Sequence, residues 1–148
     1  KDEQDFNNCV KSLGFKLNNY GEESGNDFRI GCPAKLLGIY KEYISNEKKE
    51  EFIECLDIVK SCFNGDPVSL HWSFLRGMFD FYETYLDKFD RKRLIEVLSR
   101  ENIRDIKKDA ESDIRTKKTS MKYAKLFVEK YNYKLPKKKQ LKMSKLDD

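Results

Sequence analysis

The sequence predicts an all-α fold: a compact bundle of about six to seven helices around one central helix spanning about 67–89. Two observations carry the helical reading, and the cysteines add a third expectation, that disulfides staple the N-terminal part. The first observation is PVSLHWSFLRGMFDFYETYLDKF, from Pro67 to Phe89. Asn64-Gly65 stops the preceding segment, Asp66 can cap a helix, and Pro67 suits its first position, where no N–H is needed. At helical spacing Leu70, Phe74, Met78, Phe81, Tyr85 and Phe89 form one stripe. Val68, Trp72, Leu75, Phe79, Tyr82 and Leu86 form a second. Together they cover an arc of roughly 200°, twice the usual apolar face, so this helix should be packed on more than one side.

The second observation is that apolar residues elsewhere recur at helical spacing between turn formers. Phe6, Cys9, Val10 and Leu13 predict a first helix over 2–13, ended by Gly14. Residues 14–31 read as a loop, because Asn18-Asn19, Gly21, Ser24-Gly25 and Asn26-Asp27 are turn formers. Phe15, Leu17, Tyr20, Phe28 and Ile30 are placed to pin it to the body. Pro33 opens a second helix with Leu36, Leu37, Tyr40 and Ile44 inward, and Ser45-Asn46 breaks it. A third runs to Phe63 on Phe52, Ile53, Leu56 and Val59. After the central helix, Asp90–Ser99 carries Leu94, Ile95, Val97 and Leu98. Ser99 then caps a charged helix with a narrow stripe of Ile103, Ile106, Ala110 and Ile114. Thr119 or Ser120 caps the last helix, with Met121, Ala124, Leu126, Phe127, Val128 and Tyr131 inward, ending near Leu135-Pro136. Residues 1–136 form a single helical domain on this reading, and 137–148 a basic, disordered tail without caps or periodicity.

The four cysteines, Cys9, Cys32, Cys55 and Cys62, all precede Pro67. They are too widely spaced for the usual zinc patterns and contain no C-x-x-C. Cys55 and Cys62 would lie about 10 Å apart along one helix face, too far to bond each other. Two disulfides, each joining Cys9 or Cys32 to Cys55 or Cys62, are therefore expected, with buried free thiols as the alternative. A bridged chain belongs outside the reducing cytosol. The sequence opens on Lys1 rather than Met, which fits a removed signal peptide, a trimmed N-terminus, or both.

Charge and motif content narrow the function. Thirty basic and 26 acidic residues leave a net charge of +4, too small a balance to imply nucleic acid. No run approaches the roughly 18 apolar residues of a membrane span. His71 is the sole histidine, falling within the apolar arc of the central helix, where a core histidine is expected. No G-x-S-x-G elbow, Walker loop, dinucleotide fingerprint or calcium loop occurs. Carboxylate pairs such as Glu22-Glu23, Glu50-Glu51 and Asp147-Asp148 fall on expected surfaces, and Asp80, Glu83 and Asp87 suit salt bridges with Arg76 and Lys88. These patterns argue against an enzyme, and they call for no metal and no cofactor.

What remains is recognition. Between Arg91 and Gln140 basic residues clearly outnumber acidic ones, with Tyr123, Tyr131 and Tyr133 interleaved among Lys122, Lys125 and Lys130. Tyrosine brings large contact area at low entropy cost, which suits a protein partner. Glu101, Asp105, Asp109, Glu111 and Asp113 interrupt the basic run and weigh against a phosphate-tracking face. The sequence is thus read as a secreted non-enzymatic helical protein acting by protein–protein binding, as an effector, cytokine-like ligand or antigen. One alternative is an intracellular module binding nucleic acid or an acidic partner through the basic C-terminal half. Another is a carrier of a small apolar ligand. Neither the partner nor the oligomeric state is encoded in any motif.

Overall fold

Helix boundaries follow the punctuation of the chain. In a computed structural model that describes residues 1–17 and 28–146, the α-helices are α1 (Asp2–Ser12), α2 (Pro33–Ser45), α3 (Lys49–Phe63), α4 (Trp72–Thr84), α5 (Arg91–Ser99), α6 (Ile103–Ser112) and α7 (Thr119–Asn132). Short 3-10 turns occupy Pro67–Leu70, Lys137–Lys139 and Met143–Lys145. Pro33 opens α2, Asn64 ends α3 in the left-handed conformation, and Asp90 and Asn102 cap α5 and α6 through their side chains. Among the described residues no strand forms, and Lys16 and Arg29 make an isolated bridge. Phe15, Leu17 and Ile30 are buried at this bridge. The turn formers between Asn18 and Asp27, and Tyr20, lie outside the described residues.

The central element is shorter than its sequence suggests. Asp66 accepts from the N–H of Val68, and the Ser69 hydroxyl donates to the Asp66 carbonyl, tightening 67–70 into a 3-10 turn. The Leu70 carbonyl accepts from the N–H of Gly31 at 3.0 Å rather than continuing a helical ladder. His71 is consequently extended, exposed and the N-cap of α4, not a core residue. At the other end Asp87 takes a positive φ of 68° and turns the chain toward α5.

Both apolar stripes are nevertheless engaged, by different neighbours. Phe79 joins Phe52, Tyr43, Tyr40 and Phe6 in a run of ring contacts toward α3, α2 and α1. Phe74 and Phe81 meet Phe127 of α7, and Phe74 also packs on Tyr123 at 4.9 Å between centroids. The most extensive helix contact is α4 against α7, and Gly77 lies at their closest approach. A Cβ at Gly77 would stand 2.7 Å from both the Ser120 carbonyl oxygen and the Tyr123 Cβ.

Three expectations are corrected here. The disulfide staple does not form: Cys9, Cys32, Cys55 and Cys62 are all free. Each thiol meets a different part of the fold. Cys9 lies near Tyr40 and Lys49, and the Cys32 thiol is 3.8 Å from the Leu70 carbonyl. Cys62 faces toward Arg91 of α5, and Cys55 is fully enclosed. The second correction concerns Ile114, expected in the buried stripe of α6. That helix stops at Ser112, and Ile114 is 94% exposed. The third concerns residues 137–146, expected as a disordered tail. Leu141 and Leu146 are buried, and Asn132 on α7 brackets Leu141, donating to its carbonyl and accepting from its N–H. The pair Asp147-Asp148 lies outside the described residues.

Phe79→Ala and Phe81→Ala should each lower stability by about 3–5 kcal/mol in denaturant melts, since both rings are fully buried. Gly77→Ala should also destabilise, by about 1–3 kcal/mol. Helix propensity alone would favour alanine by about 1 kcal/mol, so a stabilised variant would refute the tight crossing.

Free thiols make a further prediction. Intact mass should not change on reduction, and four thiols should alkylate once the chain is unfolded. Burial pushes Cys62 up to about 12 and Cys32 to about 11 from an ordinary 9.0, and raises Cys9 and Cys55 as well. The folded state therefore holds these protons longer than the unfolded chain. Stability should be intact below pH 9 and fall as pH rises from there toward 12. A flat profile across that window would contradict the burial of the thiols.

Candidate functional site

The residues proposed for recognition cluster on α7, and the fold divides them. Tyr123 is in the core, its ring against Phe74. Tyr131 is buried as well: its oxygen accepts from the N–H of Asp90 at 2.9 Å, and its ring lies under the Arg93 guanidinium. Tyr133 alone of the three reaches solvent, 69% exposed. Tyr40, Tyr43, Tyr82 and Tyr85 are buried as well. Lys122, Lys125 and Lys130 are half-buried on the outward side of α7. Lys130 pairs with Glu101 at 3.0 Å, and Lys125 donates to the Thr116 hydroxyl oxygen at 3.1 Å.

Two local devices set the ends of this face. At its start, Asp113 leaves the helical conformation and one carboxylate oxygen accepts from the N–H groups of Arg115 and Thr116. The Thr116 hydroxyl and these amides hold the Asp113 carboxyl below the usual carboxylate range. Thr116 is buried beneath, and the turn between them presents Ile114 outward. At the far end, Arg93 reaches across from α5. Its Nε and Nη2 donate to the Tyr131 carbonyl at 2.9 and 2.7 Å, and Nη2 also donates to the Tyr133 carbonyl at 2.8 Å. The guanidinium thus satisfies carbonyls that the end of α7 leaves open and fixes the backbone that carries Tyr133.

Between these ends lie two shallow hollows. One, of about 600 Å³, is lined by the apolar Ile114, Leu126 and Met143, with the cations Arg115, Lys122 and Lys125 and the carboxylates Asp109 and Asp113. The other, of about 530 Å³, lies against Val97, Arg100, Lys130 and Tyr133. Both are bordered by Glu129, so they adjoin along α7. Among the described residues, Ile114 and Tyr133 are the large hydrophobic side chains exposed to solvent. They stand at the two ends of one continuous surface.

A second polar cluster lies on the far side of α4. The Tyr43 hydroxyl donates to Glu83 and the Tyr82 hydroxyl to Glu54, both at 2.6 Å. Arg76 bonds Asp80 at 2.9 Å and Glu83 at 3.1 Å, the pairing expected of that polar face. Burial, then hydrogen bonding to the carboxylates, pushes both phenols up, so they act as fixed donors. The hollow beside them, about 260 Å³, contains neither cysteine nor histidine. Among the described residues no three His, Cys, Asp or Glu side chains converge as metal ligands, and no helix is long and apolar enough to cross a membrane.

The sequence offers the α7 lysines and Tyr133 as recognition candidates, but neither the exposure of Ile114 nor the Arg93 clamp is visible in its periodicity. The signal for Ile114 was Asp113, a residue that favours turns through its own side chain. Arg93 left no signal, because its partners are carbonyls about forty residues away in the chain.

Arg93→Ala should lower stability by about 1.5–3 kcal/mol, the range for hydrogen bonds made by a charged group. Arg93→Lys should recover only part, since an ammonium could replace the Nη2 bonds to the two carbonyls but not the added Nε bond to Tyr131 or the planar stacking on its ring. Full recovery by lysine in thermal melts would reduce the clamp to a charge effect.

Comparison with curated proteins and with solved structures returned no match. One family model matches, over residues 2–145, nearly the whole chain, and the protein belongs to that family of unknown function, DUF6551.

Proposed function

We propose that the chain is a non-enzymatic binding module that engages an acidic protein surface through the outward side of α7, from Ile114 to Tyr133. The observation that carries this reading is the pair of exposed hydrophobic anchors at the two ends of one lysine-bearing face. Isolated exposed apolar residues are ordinary, but two of them on adjoining hollows provide pockets and anchors in one place. The charge of the surrounding half of the chain, more than that of the two hollows themselves, favours an acidic partner. Arg91–Lys145 carry 19 Lys and Arg against seven Asp and Glu, whereas residues 1–90 carry 11 against 17.

Free thiols remove the observation on which the secreted reading rested, so this proposal names a surface and a partner chemistry without a compartment. Binding of nucleic acid is the second reading, and burial of Tyr123 and Tyr131 counts against it, because neither ring can stack on a base.

The test is a titration monitored by backbone amide shifts, at about 150 mM salt, with a helical peptide alternating Glu and Leu turns. Shifts should gather on 113–133. Ile114→Ala and Tyr133→Ala should each weaken binding by about 1–2 kcal/mol while leaving the melting temperature within error. Duplex oligonucleotide run in parallel should bind no better than the non-specific range of about 10⁻⁴–10⁻⁶ M. Nanomolar binding of the oligonucleotide, or peptide shifts scattered away from α7, would overturn the proposal.

A further inference from the structure

A third hollow lies away from the α7 face, where the end of α4, the start of α5 and residues 138–145 meet. It encloses about 500 Å³, and Lys88, Lys138, Lys139, Lys142 and Lys145 stand around it with a single carboxylate, Asp90. That carboxylate is already committed. It caps α5, one oxygen accepting from the N–H of Lys92 at 3.0 Å and of Arg93 at 3.4 Å. Among the described residues none of the five ammonium groups has an ion-pair or hydrogen-bond partner within the chain. Even counting Asp147 and Asp148, which lie outside the described residues, cations here outnumber carboxylates.

We propose that this hollow is a binding site for a compact, multiply charged oligophosphate. Like charges gathered in one concavity repel unless an anion sits among them, and the fold holds them there. The Tyr85 hydroxyl donates to the Lys142 carbonyl at 2.6 Å, Asn132 brackets Leu141, and the Gln140 amide donates to the Leu135 carbonyl at 3.0 Å. The backbone bearing the lysines is therefore positioned before any ligand arrives. Tyr131 supplies a directional contact at the same wall: its oxygen accepts from Asp90, which leaves its own proton to donate to a phosphate oxygen.

Charge density selects phosphate over an acidic peptide. An extended chain brings at most one carboxylate per residue, about 3.3 Å apart along the strand. Five ammoniums around 500 Å³ match the several negative charges that adjacent phosphates bring into one small volume. No exposed hydrophobic side chain lines the site, which separates it from the α7 face.

Calorimetry with inorganic triphosphate and with inositol hexakisphosphate, at about 150 mM salt, tests the assignment. Both should bind, and inorganic monophosphate should bind far more weakly. Replacing Lys138, Lys139 and Lys142 together by Gln should weaken binding by about tenfold or more. Replacing Lys11, Lys41 and Lys108 by Gln, an equal charge change outside the hollow, should leave it unaltered. All six side chains are exposed, so both triple variants should melt with the parent. Amide shifts in the unaltered protein provide a readout independent of variants, and should centre on 85–90 and 138–145. Equal loss in the two triples, shifts elsewhere, or no binding at that salt would overturn the proposal. Phosphatidylcholine vesicles doped with phosphatidylinositol bisphosphate form the last arm. Binding to them without binding to either soluble anion would overturn the assignment to a soluble ligand.

Discussion

Everything in this fold hangs on how closely α4 and α7 approach. Gly77 stands where any side chain would collide with the Ser120 carbonyl and Tyr123 Cβ. A glycine inside a helix costs about 1 kcal/mol against alanine, so this position trades helix propensity for proximity. The return is that Phe74 and Phe81 reach Phe127 and Tyr123 directly, and that α7 is held along its length. With α7 fixed, its last turn brings Tyr131 against Asp90 and Arg93, and Asn132 against Leu141. Both surfaces with proposed roles are therefore positioned, through short chains of contacts, by one crossing.

The second constraint is that α4 must be apolar on two sides at once. Phe79 completes the ring cluster of α1, α2 and α3, and Phe81 completes that of α7. A helix with one apolar face can be lost from a core and leave a surface behind. This one joins the two halves, and the half-buried polar network of Arg76, Asp80 and Glu83 occupies what little of it remains. Arg91, paired with Glu54 and Asp57, adds a charged tie from α5 to α3 on the same side.

Much of this was legible in the sequence because it depends on neighbours within a few positions. The all-helical class, the opening of α2 at Pro33, the end of α3 at Asn64 and the double stripe of α4 follow from periodicity and caps. Failures occur where a distant group decides. The Leu70 carbonyl is drawn to Gly31, so the central helix starts later than its pattern and His71 is exposed. Even numbers of cysteines say nothing of where their Cα atoms lie, and burial among different partners leaves the four as thiols. Residues 137–146 lack periodicity, yet Leu141 and Leu146 find core positions because α7 and Tyr85 offer hydrogen bonds to the backbone there. Of the candidate surface, Tyr133 and the α7 lysines were visible as residue types, whereas the split between buried and exposed tyrosines needed the α4–α7 crossing.

Charge distribution links these points. The acidic residues of the first ninety positions are partly used against the basic second half, through Arg91 with Glu54 and Asp57. Lys130 with Glu101 and Lys107 with Glu111 neutralise further cations within the second half. Pairing of this kind thins out toward the C-terminal end, where lysine recurs from Lys134 to Lys145 and acids are absent between Glu129 and Asp147. A surface ion pair contributes at most about 1 kcal/mol, so stability alone gives no reason to pair or unpair these lysines. Holding their backbone down with Tyr85, Asn132 and two buried leucines is a different matter. It confines like charges in one concavity, against their mutual repulsion, where an unanchored segment would let them spread. An anion relieves that repulsion, and it is the confinement, more than the number of lysines, that makes the hollow a site.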